Sequence, residues 1–157
     1  MKNIPIDRFD KEIIRILQQD CTLPVAEIAG LVGLSTTPCW RRIQQLEKNG
    51  VLRKRVAIVS PDAMNLGMTV FVQVKAAKHD AQWLTRFAQH ASDLEEVLEF
   101  YRMSGEYDYM LKVLVPDMKA FDLFYKKLVG GIDLSDVTSS FAMEQIKYTT
   151  ALPVEYC

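Results

Sequence analysis

Six basic side chains, Arg41, Arg42, Lys48, Arg53, Lys54 and Arg55, fall within fifteen consecutive positions that contain one acid, Glu47. Ser35, Thr36, Thr37 and Gln45 lie just before or among them. Guanidinium groups can meet guanine O6 and N7 or a phosphate, amides can pair with adenine, and hydroxyls can bind phosphate oxygens. This set therefore suits a nucleic acid. A second group, Ser104-Gly105-Glu106-Tyr107-Asp108-Tyr109, gathers carboxylates, hydroxyls and backbone amides at one turn. Such a loop could hold the ammonium and carboxylate of an amino acid. The same residues also suit a plain hairpin turn, and both readings stand.

The charge distribution agrees with the first group. Residues 1–60 hold 10 Lys and Arg against 6 Asp and Glu, and residues 61–157 hold 9 against 14, so a net charge of −1 hides opposite halves. The basic half is matched to a polyanion. At 157 residues and 49% hydrophobic composition, the chain has room for two small domains. No apolar run reaches the roughly 20 residues of a membrane helix, and Met1 to Asp10 lacks a signal-peptide core, so a cytoplasmic location is expected. Cys21, Cys39 and Cys157 form no metal-ligand or disulfide pattern. With two histidines, His79 and His90, and no phosphate-binding glycine loop or nucleophile elbow, neither catalysis, a metal nor a cofactor is expected.

Helices must position the basic group. Ile6, Phe9, Ile13, Ile14 and Leu17 recur at helical spacing after Asp7, a natural N-cap, and predict a helix to Asp20. Val25, Ile28, Ala29 and Val32 predict a second, closed by Gly33. Ser35 should cap a third over Thr36 to Lys48, with Cys39, Ile43 and Leu46 inward and Asn49-Gly50 at its end. That phase leaves Thr36, Thr37, Arg41, Arg42 and Gln45 to face outward. Trp40, one position off the core face, can pad the junction with the following segment or touch a phosphate backbone. Cys39 has two readings, a small buried hydrophobe or a redox-sensitive thiol activated by a helix N-terminus. Val51 to Val59, with Arg53, Lys54 and Arg55, reads as a strand, so residues 1–60 predict a winged helix-turn-helix.

Residues 61–67 read as a connector, and residues 68–157 as a second domain. Met68 to Ala77 alternates as a strand, and Trp83, Leu84, Phe87, Ala88 and Ala91 mark a helix. Val97 to Met103 and Tyr109 to Val115 form a hairpin about Gly105. Met118, Phe121, Phe124, Tyr125 and Leu128 predict a helix with these residues inward, and Thr138 to Tyr148 a last strand. The order βαββαβ is that of a ferredoxin-like sandwich, and the fold class is α+β.

These motifs together resemble the Lrp/AsnC (leucine-responsive, or feast/famine) transcriptional regulators. The resemblance is carried by Asp7-Arg8-Phe9-Asp10, by Gly33-Leu34-Ser35 with Arg42-Ile43-Gln44-Gln45-Leu46-Glu47-x-x-Gly50-Val51, by Gly105-Glu106-Tyr107-Asp108-Tyr109, and by Glu144-Gln145-Ile146-Lys147. It implies a sequence-specific regulator that binds double-stranded DNA and responds to an amino acid or related metabolite. It further implies a homo-oligomer, dimers that associate into octamers or related rings; a ligand-independent architectural DNA-binding protein is the alternative. The implied DNA-facing set is Ser35, Thr36, Thr37, Arg41, Arg42 and Gln45, joined by Arg53 and Lys54 of the wing. The implied effector site is Met103, Ser104, Gly105, Glu106, Tyr107, Asp108 and Tyr109, with Thr138, Ser139 and Ser140 as its opposite wall. The sequence departs from the commoner aliphatic pattern at Trp40.

Overall fold

A computed structural model describes residues 5–77 and 80–157, and divides the chain into two units. The chain up to Ala57 joins with Lys147–Cys157 in one, and Ile58–Ile146 makes the other. His79 lies outside the described residues.

The first unit is helical, with α1 over Arg8–Gln19, α2 over Val25–Val32 and α3 over Thr36–Lys48. Asp7 opens α1 through a reciprocal capping box. Its carboxylate accepts from the Asp10 amide at 2.9 Å, and the Asp10 carboxylate accepts from the Asp7 amide at 3.2 Å. Gly33, at φ 72°, turns the chain out of α2 while the Gly33 and Leu34 amides still donate to carbonyls of Gly30 and Ala29. Ser35 occupies the N-cap of α3, but its hydroxyl makes no capping hydrogen bond, contrary to expectation. Ile13, Ile14 and Leu17 of α1, Ile28 and Ala29 of α2, and Cys39, Ile43 and Leu46 of α3 form one buried cluster.

Two features of this unit differ from the sequence reading. Residues 53–60 carry neither helix nor strand, because the described residues of the unit offer no second strand to bond them. The expected wing strand is instead an exposed stretch, with Val56, Ile58 and Val59 open to solvent. The second difference is the fate of Lys147–Cys157, which the sequence reading grouped with the sheet. Val154, 5% exposed, joins the helical cluster, and Gln18 exchanges two hydrogen bonds with the Leu152 backbone, at 2.6 and 3.1 Å. Arg15 pairs with Glu155 beside them.

The second unit has β1 over Met68–Ala76, α4 over Ala81–Ser92, β2 over Val97–Arg102, β3 over Tyr109–Val115, α5 over Met118–Val129 and β4 over Leu134–Phe141. The strands form one antiparallel sheet in the order β2-β3-β1-β4, as the ferredoxin-like reading expects. Asp80 and Asp117 cap the two helices by accepting from the Trp83 and Ala120 amides. Val70, Val72 and Val74 of β1 and Leu111, Val113 and Val115 of β3 bury one face of the sheet with Phe87, Phe124 and Leu128 of the helices. Met118 is exposed rather than inward, since it stands in the first turn of α5 beyond the reach of this core.

The last strand begins earlier and ends earlier than Thr138–Tyr148. Its partner sets both limits, because Leu134 pairs with Ala76 at one end of β1 and Phe141 with Val70 near the other. The segment 61–67 contains a single 3-10 turn, Asp62–Met64.

Candidate nucleic-acid interface and effector site

The short passage from α2 into α3 leaves the start of α3 outside the helical core. Ser35, Thr36, Thr37, Arg41 and Gln45 are exposed, as are Arg53 and Lys54. Gln45 donates to Asn49 at 3.1 Å, a bond made on the surface of α3 that a base edge can replace. Among the described residues no carboxylate pairs with Arg41, Lys48, Arg53 or Lys54. Arg55 is different, since Glu47 takes its guanidinium at 2.8 Å. The surface thus keeps a net positive excess next to polar side chains, an arrangement that can meet phosphates and base edges together. Trp40 is half-exposed, at 51%, on the same helix.

Arg42 does not join that set. Its Nη1 lies 2.8 Å from Asp7 Oδ2 and 2.8 Å from Asp10 Oδ1, and its guanidinium carbon is 5.3 Å from the centre of the Phe9 ring. The hydrogen bond to Asp10 raises the Arg42 pKa, opposed by desolvation, with Asp7 adding to the rise. The Asp7 carboxyl is held below its ordinary value by the Asp10 amide first and by Arg42 as well. The expected outward placement of Arg42 is therefore corrected. Its spacing shows why: Arg42 stands at i+3 from Cys39 and i−4 from Leu46, the inner side of α3.

Cys39 is fully buried, and desolvation pushes its thiol pKa up, opposed by the nearby Arg42 charge. The activated-thiol reading is overturned, because burial disfavours the thiolate more than the arginine favours it. A thiol reagent should therefore label exposed Cys157 quickly in the native protein and reach Cys39 only on unfolding. Mass spectrometry of the labelled peptides reads this directly, and rapid native labelling of Cys39 would refute its placement.

In the sheet unit the turn between β2 and β3 is reached from both neighbouring strands. Met103, Ser104, Gly105 and Glu106 are exposed, Tyr107 and Asp108 half-buried, and Tyr109 buried. Gly105 has φ 150°, a conformation side-chain-bearing residues avoid, so the turn itself requires glycine. Tyr107 Oη lies 3.0 Å from Thr138 Oγ1 on β4. Lys75 of β1 sits between them, its Nζ 3.3 Å from Glu106 Oε1 and 5.0 Å from the Tyr107 ring centre. A cation, a carboxylate and two hydroxyls thus converge on one face, where they can bind both ends of a zwitterion. Lys75 was not anticipated, although strand alternation places it opposite buried Val74 and its charge was a usable signal.

Other predicted members divide differently. Thr138 and Ser140 pair with Gln73 and Phe71 on this face, whereas Ser139 pairs with Val72 and turns to the helix side. Ser139 therefore does not line the same wall. Asp108 serves the sheet: its Oδ2 accepts from the Ala76 amide at 2.9 Å, its amide donates to Val74 at 3.0 Å, and its carbonyl accepts from Met103 at 2.7 Å. Tyr109 packs its ring on Phe87 and Phe100, and burial raises its pKa.

Comparison with known proteins agrees with the two-domain organisation. The AsnC-type helix-turn-helix domain profile matches residues 6–47, and the Lrp/AsnC ligand binding domain profile matches residues 69–152. The DNA-binding transcriptional activator DecR of Escherichia coli K12 is 51% identical over 151 residues, 96% of this chain and 99% of its own. A crystal structure of an AsnC family transcriptional regulator from Agrobacterium tumefaciens superposes with a TM-score of 0.93 at 57% identity, covering 96% of this chain and 98% of that one. A Neisseria meningitidis regulator in complex with L-methionine follows at TM-score 0.92 and 35% identity, covering 97% and 99%. No helix among the described residues is long and apolar enough to cross a membrane. With a helix-turn-helix unit, a ferredoxin-like unit and these relatives across nearly its whole length, the chain belongs to the Lrp/AsnC family of transcriptional regulators, which combine a DNA-binding with a ligand-binding domain.

Proposed function

We propose that this protein acts as a homo-oligomer that binds specific DNA sites and changes its affinity for them when an amino acid or related small metabolite binds. The unpaired basic surface of α3 and the segment after it supports the DNA half of the reading. Thr36, Thr37, Arg41 and Gln45 approach base edges, with Ser35, Arg53 and Lys54 on phosphates. The effector half rests on the convergence of Lys75, Glu106, Tyr107 and Thr138, with Met103 to Tyr109 forming the loop. The methionine complex of the Neisseria relative lends weight to an amino-acid ligand. Phe71 and Tyr101, partly exposed on the sheet face away from α4 and α5, favour self-association.

Binding to an operator fragment, measured by fluorescence anisotropy across a salt series with each of the twenty amino acids, tests both halves. Affinity should fall steeply with salt, and Arg53→Ala or Lys54→Ala should flatten the log–log slope by about 0.9 each if the residue meets one phosphate. An effector at 100 times its Kd should raise stability by about 2.7 kcal/mol, visible as a shift in Tm. Thr138→Val should raise the effector concentration needed. If no metabolite shifts either the Tm or the operator affinity, the ligand-independent architectural reading replaces this one. A salt-insensitive affinity would remove the basic surface from the interface.

A further inference from the structure

Two consecutive arginines on α3 have opposite surroundings. Arg41 is exposed, and no described carboxylate pairs with it. Arg42, one residue and about 100° further round the helix, faces α1. There one of its nitrogens, Nη1, bridges both carboxylates of the α1 capping box at 2.8 Å, and Phe9 lies under its guanidinium at 5.3 Å. Asp10 is the more enclosed partner, its side chain 14% exposed against 50% for Asp7. Around this junction Ile13, Cys39, Ile43 and Leu46 close the core from below. Apolar contacts of that kind resist separation of two helices but allow sliding and rolling, because they have no direction. A charge held between two carboxylates and stacked on a ring fixes distance and rotation together.

We propose that Arg42 is a positioning residue for DNA recognition: it locks α3 to the first turn of α1 and so sets the angle at which the exposed face of α3 is presented, without touching DNA. The inference rests on the reading that α3 meets DNA. Because two carboxylates already neutralise it, Arg42 adds nothing to the phosphate attraction. It acts on sequence discrimination, which needs side chains placed accurately against base edges, and not on the general affinity for a polyanion. The capping box also acquires a second task, since the carboxylates that start α1 are the ones that orient α3.

The test uses the full-length protein at a temperature well below its melting transition, comparing the parent with Arg42→Ala, Arg42→Lys, Asp10→Asn and the Arg42→Ala/Asp10→Asn pair. Asp10→Asn keeps an amide oxygen able to accept from the Asp7 amide. Arg42→Ala should lower operator affinity about tenfold while random-sequence DNA is bound within about twofold of the parent, with the salt slope unchanged. Arg42→Lys should recover part of the loss, and Asp10→Asn should cost little more once Arg42 is gone, a coupling that the double-mutant cycle measures. Hydrogen exchange without DNA should show α3 amides of Arg42→Ala exchanging about tenfold faster than in the parent while α1 keeps its protection. A slope reduced by about one phosphate, or discrimination lost at a single base position, would assign Arg42 to DNA contact and overturn the proposal. Unchanged operator affinity, or unchanged exchange in α3, would overturn it as well. If the parent itself binds no DNA, the functional reading fails at that step, and the exchange experiment alone decides whether Arg42 holds α3.

Discussion

Replacing Phe87 with alanine is expected to destabilise the sheet unit by about 3–5 kcal/mol, the range for removing a fully buried aromatic ring. Phe87 has no exposed surface, and its ring lies 5.1 Å from Trp83, 5.5 Å from Phe100 and 5.3 Å from Tyr109. Truncation therefore empties the middle of an aromatic cluster and strips three neighbours of contacts at once. Tyr109 packs on Phe87 directly after the β2–β3 turn, so on the function proposed above effector binding should weaken along with stability. Urea unfolding followed by tryptophan fluorescence reads the first effect, since Trp83 is in the cluster. A change below 1 kcal/mol would mean that the aromatic residues do not form the packed cluster described.

The second large effect concerns the chain's last residues. Deleting residues 151–157 should destabilise the helical unit by about 2–4 kcal/mol: burial of Val154 contributes about 1.5–3 kcal/mol, and the paired Gln18–Leu152 hydrogen bonds a further increment. The Arg15–Glu155 pair, largely in solvent, adds little. Val154→Ala alone should cost about 1–2 kcal/mol through lost methyl groups and the space left behind. Thermal unfolding monitored by helical circular dichroism compares the three proteins. If the deletion leaves the midpoint unchanged, Val154 is not part of the helical core.

The limits of α3 were legible because Ser35, Asn49 and Gly50 bracket an apolar series with one clear phase. β3 was equally plain, its alternation running from Tyr109 to Val115 without interruption. The end of β4 was not, because apolar Ile146 and Tyr148 continue a strand-like pattern beyond the point where β1 can pair with it. Arg42 was counted by its charge with Arg41, although its helical phase matched Cys39 and Leu46. At the candidate effector site, the grouping of the turn with Thr138 came from the family resemblance rather than from any local pattern, and Tyr107 and Thr138 do meet. The part played by Asp108 depends on a bond to Ala76, thirty-two positions away, and no local pattern announces a partner at that distance. Val154 follows a stretch without helical period, so nothing nearby marks it as a core residue.

The return of Lys147–Cys157 to the helices makes the sheet unit an insertion within a discontinuous helical unit. Protein synthesis runs from the N-terminus, and the ribosome's exit tunnel encloses the most recently added residues. α1, α2 and α3 therefore emerge before the sheet, yet they wait until Val154, beyond β4, can cover its part of their core. The whole sheet, from β1 to β4, is made in that interval. Nascent chains stalled before Val154 has emerged should expose an apolar patch on the helices that longer nascent chains cover, so the helical unit is completed only after the whole sheet has been made.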